Sequence, residues 1–514
     1  MRLFAVVDGC LQLFFQATAN NCERLQTTAN GSSLPRMTDW QYVTLTFSLV
    51  AITLSVIALG HLLTHQRDHR SAAFWVAIIV LSPFLGACLY GLLGINFIRR
   101  RGQQYRGGIG PAYRDPVPTC PLFVHGDAER SERDGSLAVT LDRISRFNFS
   151  SGNSIVPFIN GDEAMPAMIA AIREAKSSVA LSSYIFEATG IGAEFVDALD
   201  AACKRGVQVR VIVDDAGTRY SWPPVTKVLS ERGVPVERFM PNRFILRLLT
   251  MNLRNHKKVL VVDGCIAFTG GMNIREGNML ARHPGHPVQD LQFKLTGPVV
   301  TQIQRVFAED WIFCSGEALD EKLWFPEIAP TGNVHGLGIV DGPDEDYEVM
   351  PTALFAALSA ARHQVCIVTP YFLPPVTLLA ALKLCATRGV DVTIITPAKN
   401  NIPFVAWAAR TLYGELLHAG CRIYESPAPF DHSKLLLIDD AWSILGSTNW
   451  DPRSLRLNFE FNVACHNTAL VTRLKAIVDQ KKAISAEITE AMLENLPLKE
   501  QLRNGFARLF IPVL

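Results

Sequence analysis

The chain has 514 residues, 49% of them hydrophobic, with 49 Lys and Arg against 48 Asp and Glu. That length exceeds one ordinary core and predicts two or more domains, while a net charge of +1 excludes a chain drawn to nucleic acid by bulk electrostatics. The eleven cysteines are odd in number and form no CxxC pair, so they read as reduced thiols, as for Cys366 in the apolar run QVCIVTPYF, rather than as a disulfide framework or zinc site.

Residues 1–40 read as an N-terminal extension. Asp8 interrupts the first apolar run and no small-residue cleavage site follows a long one, which argues against a signal peptide. Two uncharged apolar runs come next, residues 43–63 and 72–98. Each is long enough to cross a hydrocarbon core of ~30 Å at ~1.5 Å per residue, and neither has a polar face. Two transmembrane helices over 41–98 are therefore expected. Ser82-Pro83 can kink the second run, which leaves a re-entrant hairpin as the other reading. Arg67 and Arg70 sit between the runs and Arg99, Arg100, Arg101 and Arg106 follow them, so the positive-inside rule places the C-terminal part in the cytoplasm. Residues 99–151 are expected to be a linker.

From about Gly152 helical and strand-like runs alternate, and the order recurs. AMPAMIAAIREAKSS, VALSSYIF, GAEFVDALDAACKRG and VQVRVIVDD are answered by ALFAALSAARHQ, VCIVTPYF, TLLAALKLCATRG and VDVTIITPA. Tyr184 matches Tyr371 at an offset of 187, and Arg205-Gly206-Val207 matches Arg388-Gly389-Val390 at 183. The body is thus read as two α/β repeats, 152–335 and 336–514, with mixed, largely parallel sheets flanked by helices.

The repeat also carries chemistry. NHKKVLVVDGCIAFTGGMN starts at Asn255 and DHSKLLLIDDAWSILGSTN at Asp431; His256, Lys258, Asp263, Gly270 and Asn273 meet His432, Lys434, Asp439, Gly446 and Asn449, all at an offset of 176. On a strand, residues two apart share a face, so each His and Lys point the same way. Each Asp lies seven residues from its His, an odd number, and is expected to face away and hold local structure. Gly270 and Gly446 suit a turn that brings the Asn back beside the Lys. One HxKxxxxD arises by chance on a surface strand; two copies with GxxN at the same spacing do not. Paired imidazoles, ammonium groups and amides suit a phosphodiester: one His attacks phosphorus, the other protonates the leaving oxygen, and the Lys and Asn donors stabilise the non-bridging oxygens. Neither copy supplies metal-ligand spacing.

On these motifs the chain resembles the phospholipase D superfamily, whose signature is a duplicated HxKxxxxD followed by GSxN, and within it the bacterial cardiolipin synthases. The likeness runs from about residue 40 and takes in PYFLP at 370–374, RSLRLNFEFN at 453–462 and the C-terminal ARLFIPVL. It implies two halves with the active site at their interface, a phosphohistidine intermediate, and no metal or other cofactor. His256, Lys258, Asp263, His432, Lys434 and Asp439 become the catalytic set. Asn273, Ser447 and Asn449 become phosphate donors, and Asp290 and Glu460 the carboxylates that orient the histidines. The first copy reads Gly270-Gly271-Met272-Asn273 and lacks the Ser447 of the second, so the halves are not equivalent; by analogy with the superfamily His256 is favoured as nucleophile and His432 as acid and base.

The implied reaction passes a phosphatidyl group from one phosphatidylglycerol to another and releases glycerol, at the bacterial inner membrane. Hydrolysis by the same residues and transfer to another alcohol are the nearest alternatives. A nuclease fits poorly with the apolar spans and near-zero charge, and an idle scaffold fits poorly with two intact motif copies. Arg243, Arg247, Arg254 and Lys257 crowd the approach to His256 and would suit anionic headgroups. The last stretch, LKEQLRNGFARLFIPVL, reads equally as a helix docked on a bilayer surface or as one packed on the core.

Overall fold

In the computed structural model of the chain, residues 39–65, 69–91, 128–241, 253–343 and 346–511 are described. The expected extension falls almost wholly outside them. The chain divides into two units, residues 1–95 and 96–514.

In the first unit, α1 (Asp39–His65) is a continuous apolar helix. The second run does not form its equal. It breaks into α2 (His69–Leu81) and α3 (Pro83–Leu89) at Ser82, which is not helical and whose side chain makes no capping bond. Pro83 has no N–H to continue the ladder, so a new helix starts there. The two pieces fold back on each other: a Cβ on Gly86 would lie 2.4 Å from the Ile78 carbonyl oxygen. The Ser55 hydroxyl donates to the Pro83 carbonyl at 2.8 Å, and His61 Nδ1 lies 3.0 Å from the Tyr90 hydroxyl. Trp75 packs edge-on against Tyr90. Tyr90, at the end of the second arm, therefore meets both α1 and α2. Among the described residues only the helix Trp40–Thr64 is long and apolar enough to cross a membrane, which corrects the expectation of two spanning helices; residues 92–98 lie outside the described residues.

The second unit opens with α4 (Ala128–Ile144). It lies inside the stretch expected to be a linker, yet buries Leu137, Ala138 and Leu141 in the main core. The first repeat then runs β1 (Ser150–Ile159), α5 (Asn160–Glu174), β2 (Ser178–Ser183), α6 (Ile191–Lys204), β3 (Gln208–Asp214), α7 (Val225–Glu231), β4 (Val236–Phe239), β5 (Val259–Val262), β6 (Ile266–Gly270), β7 (Leu291–Thr296) and α8 (Val299–Ser315). The second answers with β8 (Val334–Asp341), α9 (Val349–Ala360), β9 (Gln364–Val368), α10 (Val376–Thr387), β10 (Asp391–Pro397), α11 (Pro403–His418), β11 (Arg422–Ser426), β12 (Leu435–Ile438), β13 (Trp442–Gly446), β14 (Asn458–His466) and α12 (Thr468–Ala483). The strand β15 (Ala486–Ile488) and the helix α13 (Leu498–Arg508) close the chain.

All of these strands join one sheet, in the order β15-β11-β10-β9-β12-β13-β14-β8-β1-β7-β6-β5-β2-β3-β4. Six strands on either side of the β1–β8 pair follow the same order, with β15 added at one edge, so the duplication is a two-fold pattern centred on that antiparallel pair. Only β2-β3-β4 and β9-β10-β11 run parallel; the remaining neighbours are antiparallel, so the sheets are mixed but not largely parallel. The reason is local. The Asp263-Gly264 pair has φ of 51° and 64° and opens a three-residue reversal that sends β6 back along β5, and Asp439, also at 51°, opens the matching one between β12 and β13. Strands β2, β5, β12 and β13 are buried along their whole length, as expected for a sheet covered on both faces. Burial at every third or fourth position of α6 (Phe195, Val196, Leu199, Ala202) supplies part of that cover.

Candidate active site

Each motif begins just before the inner hairpin of its repeat. Arg254-Asn255 pairs in parallel with Asn458-Phe459 of the other repeat, and Phe430-Asp431 pairs in parallel with Val288-Gln289. The His256 amide then donates to the Phe459 carbonyl at 2.9 Å, and the His432 amide to the Gln289 carbonyl at 2.8 Å. These two short clamps set each histidine beside the carboxylate that follows in the opposite repeat. His256 Nδ1 lies 3.0 Å from both oxygens of Glu460, and His432 Nδ1 lies 2.8 Å from Asp290 Oδ2. The two carboxylates expected from the resemblance thus meet the histidines crosswise, each serving the other half.

The imidazole centroids are 6.4 Å apart. With each Nδ1 held by a carboxylate, each Nε2 is left to face a substrate. Lys258 Nζ donates to the His256 carbonyl at 2.5 Å, and Lys434 Nζ likewise to the His432 carbonyl. All four side chains are almost completely buried. Burial lowers the Lys258 ammonium to about 7 and the Lys434 ammonium to about 8, each against the pull of Asp290 and Glu460. Burial also lowers both imidazoles, and the two lysines add to that push. The result is a buried site in which all four basic groups are held below their ordinary values.

The two carboxylates differ. Burial would push both up. For Glu460, His256, Lys258 and the Ser447 hydroxyl outweigh it and hold the carboxyl below its ordinary value; Ser447 Oγ donates to Glu460 Oε2 at 2.5 Å and Asn458 Nδ2 to Oε1 at 3.0 Å. Asp290 has no such hydroxyl, and burial carries it up to about 7 despite Lys434. The Ser447 position in the first repeat is Gly271, where a Cβ would lie 2.4 Å from Asp290 Oδ1. The shorter carboxylate goes with the missing side chain, so the departure in the first motif is a steric pairing.

Ser447, expected among the phosphate donors, spends its hydroxyl on Glu460 and accepts the Phe461 amide at 3.0 Å. Asn273 Oδ1 accepts the Ile185 amide at 3.1 Å, and Asn449 Nδ2 donates to Ser454 Oγ at 3.0 Å. Gly270 and Gly446 are needed for close approach at strand ends rather than for a free turn: a Cβ would lie 2.6 Å from the Leu291 carbonyl oxygen at one and 2.4 Å from the Phe461 carbonyl oxygen at the other.

Asp263 and Asp439 are not brought to the histidines. Asp263 Oδ1 accepts the Ser177 amide at 2.7 Å, the Ser177 hydroxyl at 2.8 Å and the Ser178 amide at 3.0 Å. Burial alone would raise its carboxyl, but these donors win and lower it. Asp439 Oδ1 takes the His363 amide at 2.7 Å and the Gln364 amide at 3.0 Å. Each Asp closes the turn before the first parallel strand of its repeat. Asp263→Ala is expected to cost about 2–4 kcal/mol of stability through lost charged hydrogen bonds and the left-handed φ, with little effect on turnover per folded molecule. Urea unfolding run beside a turnover assay checks this; normal unfolding with lost turnover would move Asp263 into the chemistry.

Of the basic rim expected around His256, Lys257 is buried and paired with Asp310 at 2.6 Å, so it does not face a headgroup. Arg254 is half-buried and donates to the Leu253 carbonyl, and Arg243 and Arg247 lie outside the described residues. Two tyrosines used only as landmarks of the duplication do reach the site. The Tyr184 ring is 5.2 Å from the His256 ring and lies under Lys258 Nζ at 5.6 Å, and the Tyr371 ring is 6.4 Å from that of His432. Their shared place in the repeat was the signal that could have found them. The eight cysteines among the described residues are all free thiols.

The HxK segments, expected on strands, lie just ahead of β5 and β12 instead, and a repeated α/β unit in which both deliver their histidines to one common, buried site defines a phospholipase D-like protein. Residues 168–311 and 354–482 match the family model described as "Cardiolipin synthase, PLD-like domain", and residues 53–94 match one described as "Phospholipase_D-nuclease N-terminal". The chain is 30% identical over 478 residues to the major cardiolipin synthase ClsA of Bacillus subtilis, covering 91% of this chain and 98% of that one. It is 29% identical over 477 residues to the cardiolipin synthase of Oceanobacillus iheyensis, with the same coverage. Among solved structures, phosphatidylserine synthase of Haemophilus influenzae shares the fold at a TM-score of 0.56 and 15% identity, over 70% of this chain and 95% of that one. The chain belongs to the cardiolipin synthase family.

Proposed function

We propose that the protein is a phosphatidyltransferase that makes cardiolipin from two molecules of phosphatidylglycerol. The observation that carries this reading is the crosswise pair of carboxylate-backed imidazoles, their ring centroids 6.4 Å apart, close enough for both to act on one phosphorus placed between them. His256 Nε2 attacks phosphorus, forming a P–N bond as the P–O bond to glycerol breaks. His432 delivers its Nε2 proton to the departing glycerol oxygen. The hydroxyl of a second phosphatidylglycerol then gives its proton back to His432 and attacks phosphorus, and the P–N bond breaks. Lys258 and Lys434 balance the charge on the non-bridging oxygens, with Asn273 and Asn449 beside them. The anionic Glu460 supports the positive phosphoimidazole on His256, and this favours His256 as the nucleophile. Asp263 and Asp439 act through the fold.

The catalytic halves are 152–335 and 336–514, and no metal takes part. α1 holds the chain in the inner membrane, the α2–α3 hairpin re-enters without crossing, and the basic residues after it keep the catalytic unit in the cytoplasm. The test is the purified full chain in phosphatidylglycerol vesicles with EDTA, following lipid products and glycerol together. Cardiolipin and glycerol appearing one for one are expected. Phosphatidic acid with glycerol and no cardiolipin would make water the acceptor and the protein a hydrolase.

A further inference from the structure

The C-terminal helix α13 is amphipathic in the reverse of the usual sense. Its packed face is Asn504 and Ala507, both buried, with Arg503 stacked over Trp407 of α11 at 4.8 Å. Its outward face is Leu498, Leu502, Phe506 and, just past its end, Leu509, all exposed, Leu502 at 66% and Phe506 at 58%. Steps of four, four and three residues put these side chains on one side of the helix, and the exposed Lys499 and Arg508 flank them. A stripe of this kind has no reason to stay in water.

The stripe is continuous with the active site. Phe506 packs on Phe510 at 5.2 Å between ring centroids, and Phe510 on Phe404 at 5.5 Å. Phe404 follows the exposed Ile402, and the loop before it is tied to the site by the Tyr371 hydroxyl, which donates to Asn401 Oδ1 at 2.8 Å. Tyr371 in turn lies against His432. The first repeat repeats the device in the equivalent loop after β3. Tyr184, against His256, packs edge-on on Tyr220, itself exposed. Two residues on, Trp222 is 89% exposed. Each histidine is thus followed outward by a tyrosine and then by an exposed apolar loop.

We infer that Tyr220 and Trp222, Ile402 and the outer face of α13 form one interfacial surface that seats the active-site mouth on an anionic bilayer. The occupant is a lipid surface because the patch combines an amphipathic helix flanked by cations with an exposed Trp and Tyr, the composition that partitions to the headgroup boundary. It is linked by side-chain contacts to a site whose substrate, on the reading above, lies in that same bilayer. A lipid then moves from membrane to histidine without its acyl chains crossing water, and the same surface accepts both the donor and the acceptor lipid.

The test uses the full chain reconstituted in phosphatidylglycerol-containing vesicles. A polarity-sensitive fluorescent amino acid replaces Leu502 or Trp222, and lipids with nitroxide-bearing acyl chains serve as quencher. Quenching at both positions is expected, and this arm needs no turnover, so it stands or falls apart from the proposed reaction. Absence of quenching at either position, or shielding of both by a second copy or by another segment of the chain, would overturn the inference. In a second arm, Leu502→Asp/Phe506→Asp should lower turnover of long-chain phosphatidylglycerol in vesicles about tenfold or more while sparing dispersed dihexanoyl-phosphatidylglycerol. Equal loss on both substrates, or loss on neither, would count against it.

Discussion

His256→Ala and His432→Ala are each expected to lower cardiolipin formation by about 10⁴-fold or more, because two groups that act as one unit fail together when either is lost. The two losses should be separable by the leaving group. A phosphatidyl ester of p-nitrophenol needs no general acid to depart, so His432→Ala should still release one equivalent of p-nitrophenol in a burst and then stall. His256→Ala, without the nucleophile, should give no burst. A burst from His256→Ala alone would exchange the assignments, and retention of a tenth of the activity by either variant would sink the two-histidine scheme. The variants should differ in stability as well. Removing His256 leaves Glu460 with Ser447 and Asn458 as donors, whereas Asp290, already raised to about 7 by burial, takes up a proton when His432 is gone.

The second large effect concerns the crossed carboxylates. Glu460→Gln is expected to reduce turnover by about 10³–10⁴-fold, the scale seen when a carboxylate that orients a catalytic imidazole becomes an amide. Asp290→Asn should cost less, about 10–100-fold, but it should change the pH profile. The acid role of His432 needs a proton on the Asp290–His432 pair. Burial raises Asp290 to about 7 and lowers His432, so the pair keeps a shared proton below that pH and loses it above. kcat/KM should therefore fall on the alkaline side as pH rises through about 7. Lys258 loses its charge in the same region, at about 7, and this too would weaken the enzyme at higher pH. Asp290→Asn separates the causes. If the pair controls the limb, the variant's limb moves to lower pH, since only the depressed imidazole remains to hold the proton. An unmoved limb would assign it to Lys258.

Much of the site was legible because the chain carries it twice. A constant offset of 176 between His256-Lys258-Asn273 and His432-Lys434-Asn449 needs no structure to be seen. Strand periodicity alone set Asp263 and Asp439 apart from the histidines, and their hydrogen bonds to the turns at Ser177 and His363 give the physical content of that separation. Other expectations were one-dimensional where the cause was not. Counting apolar residues predicted a second span, but Pro83 interrupts the ladder and Gly86 lets the two pieces close on each other. Charge counting put Lys257 on the rim, whereas the buried segment between Asn255 and Val259 holds it in the core to meet Asp310. Alternating helices and strands suggested parallel sheet, but tight reversals such as those at Asp263 and Asp439 turn strands back on their neighbours, and most pairings are antiparallel.

The sequence by itself determined the duplicated plan and the two HxK segments as the candidate site, because those rest on residue identities repeated at one offset. Only the tertiary structure decided which carboxylate serves which histidine, that Ser447 steadies Glu460 rather than a phosphate, and that Tyr184 and Tyr371 line the site. These are contacts between residues as far apart as 204 positions. They are set by two short parallel clamps across the repeat boundary, and no local pattern in either repeat encodes its partner.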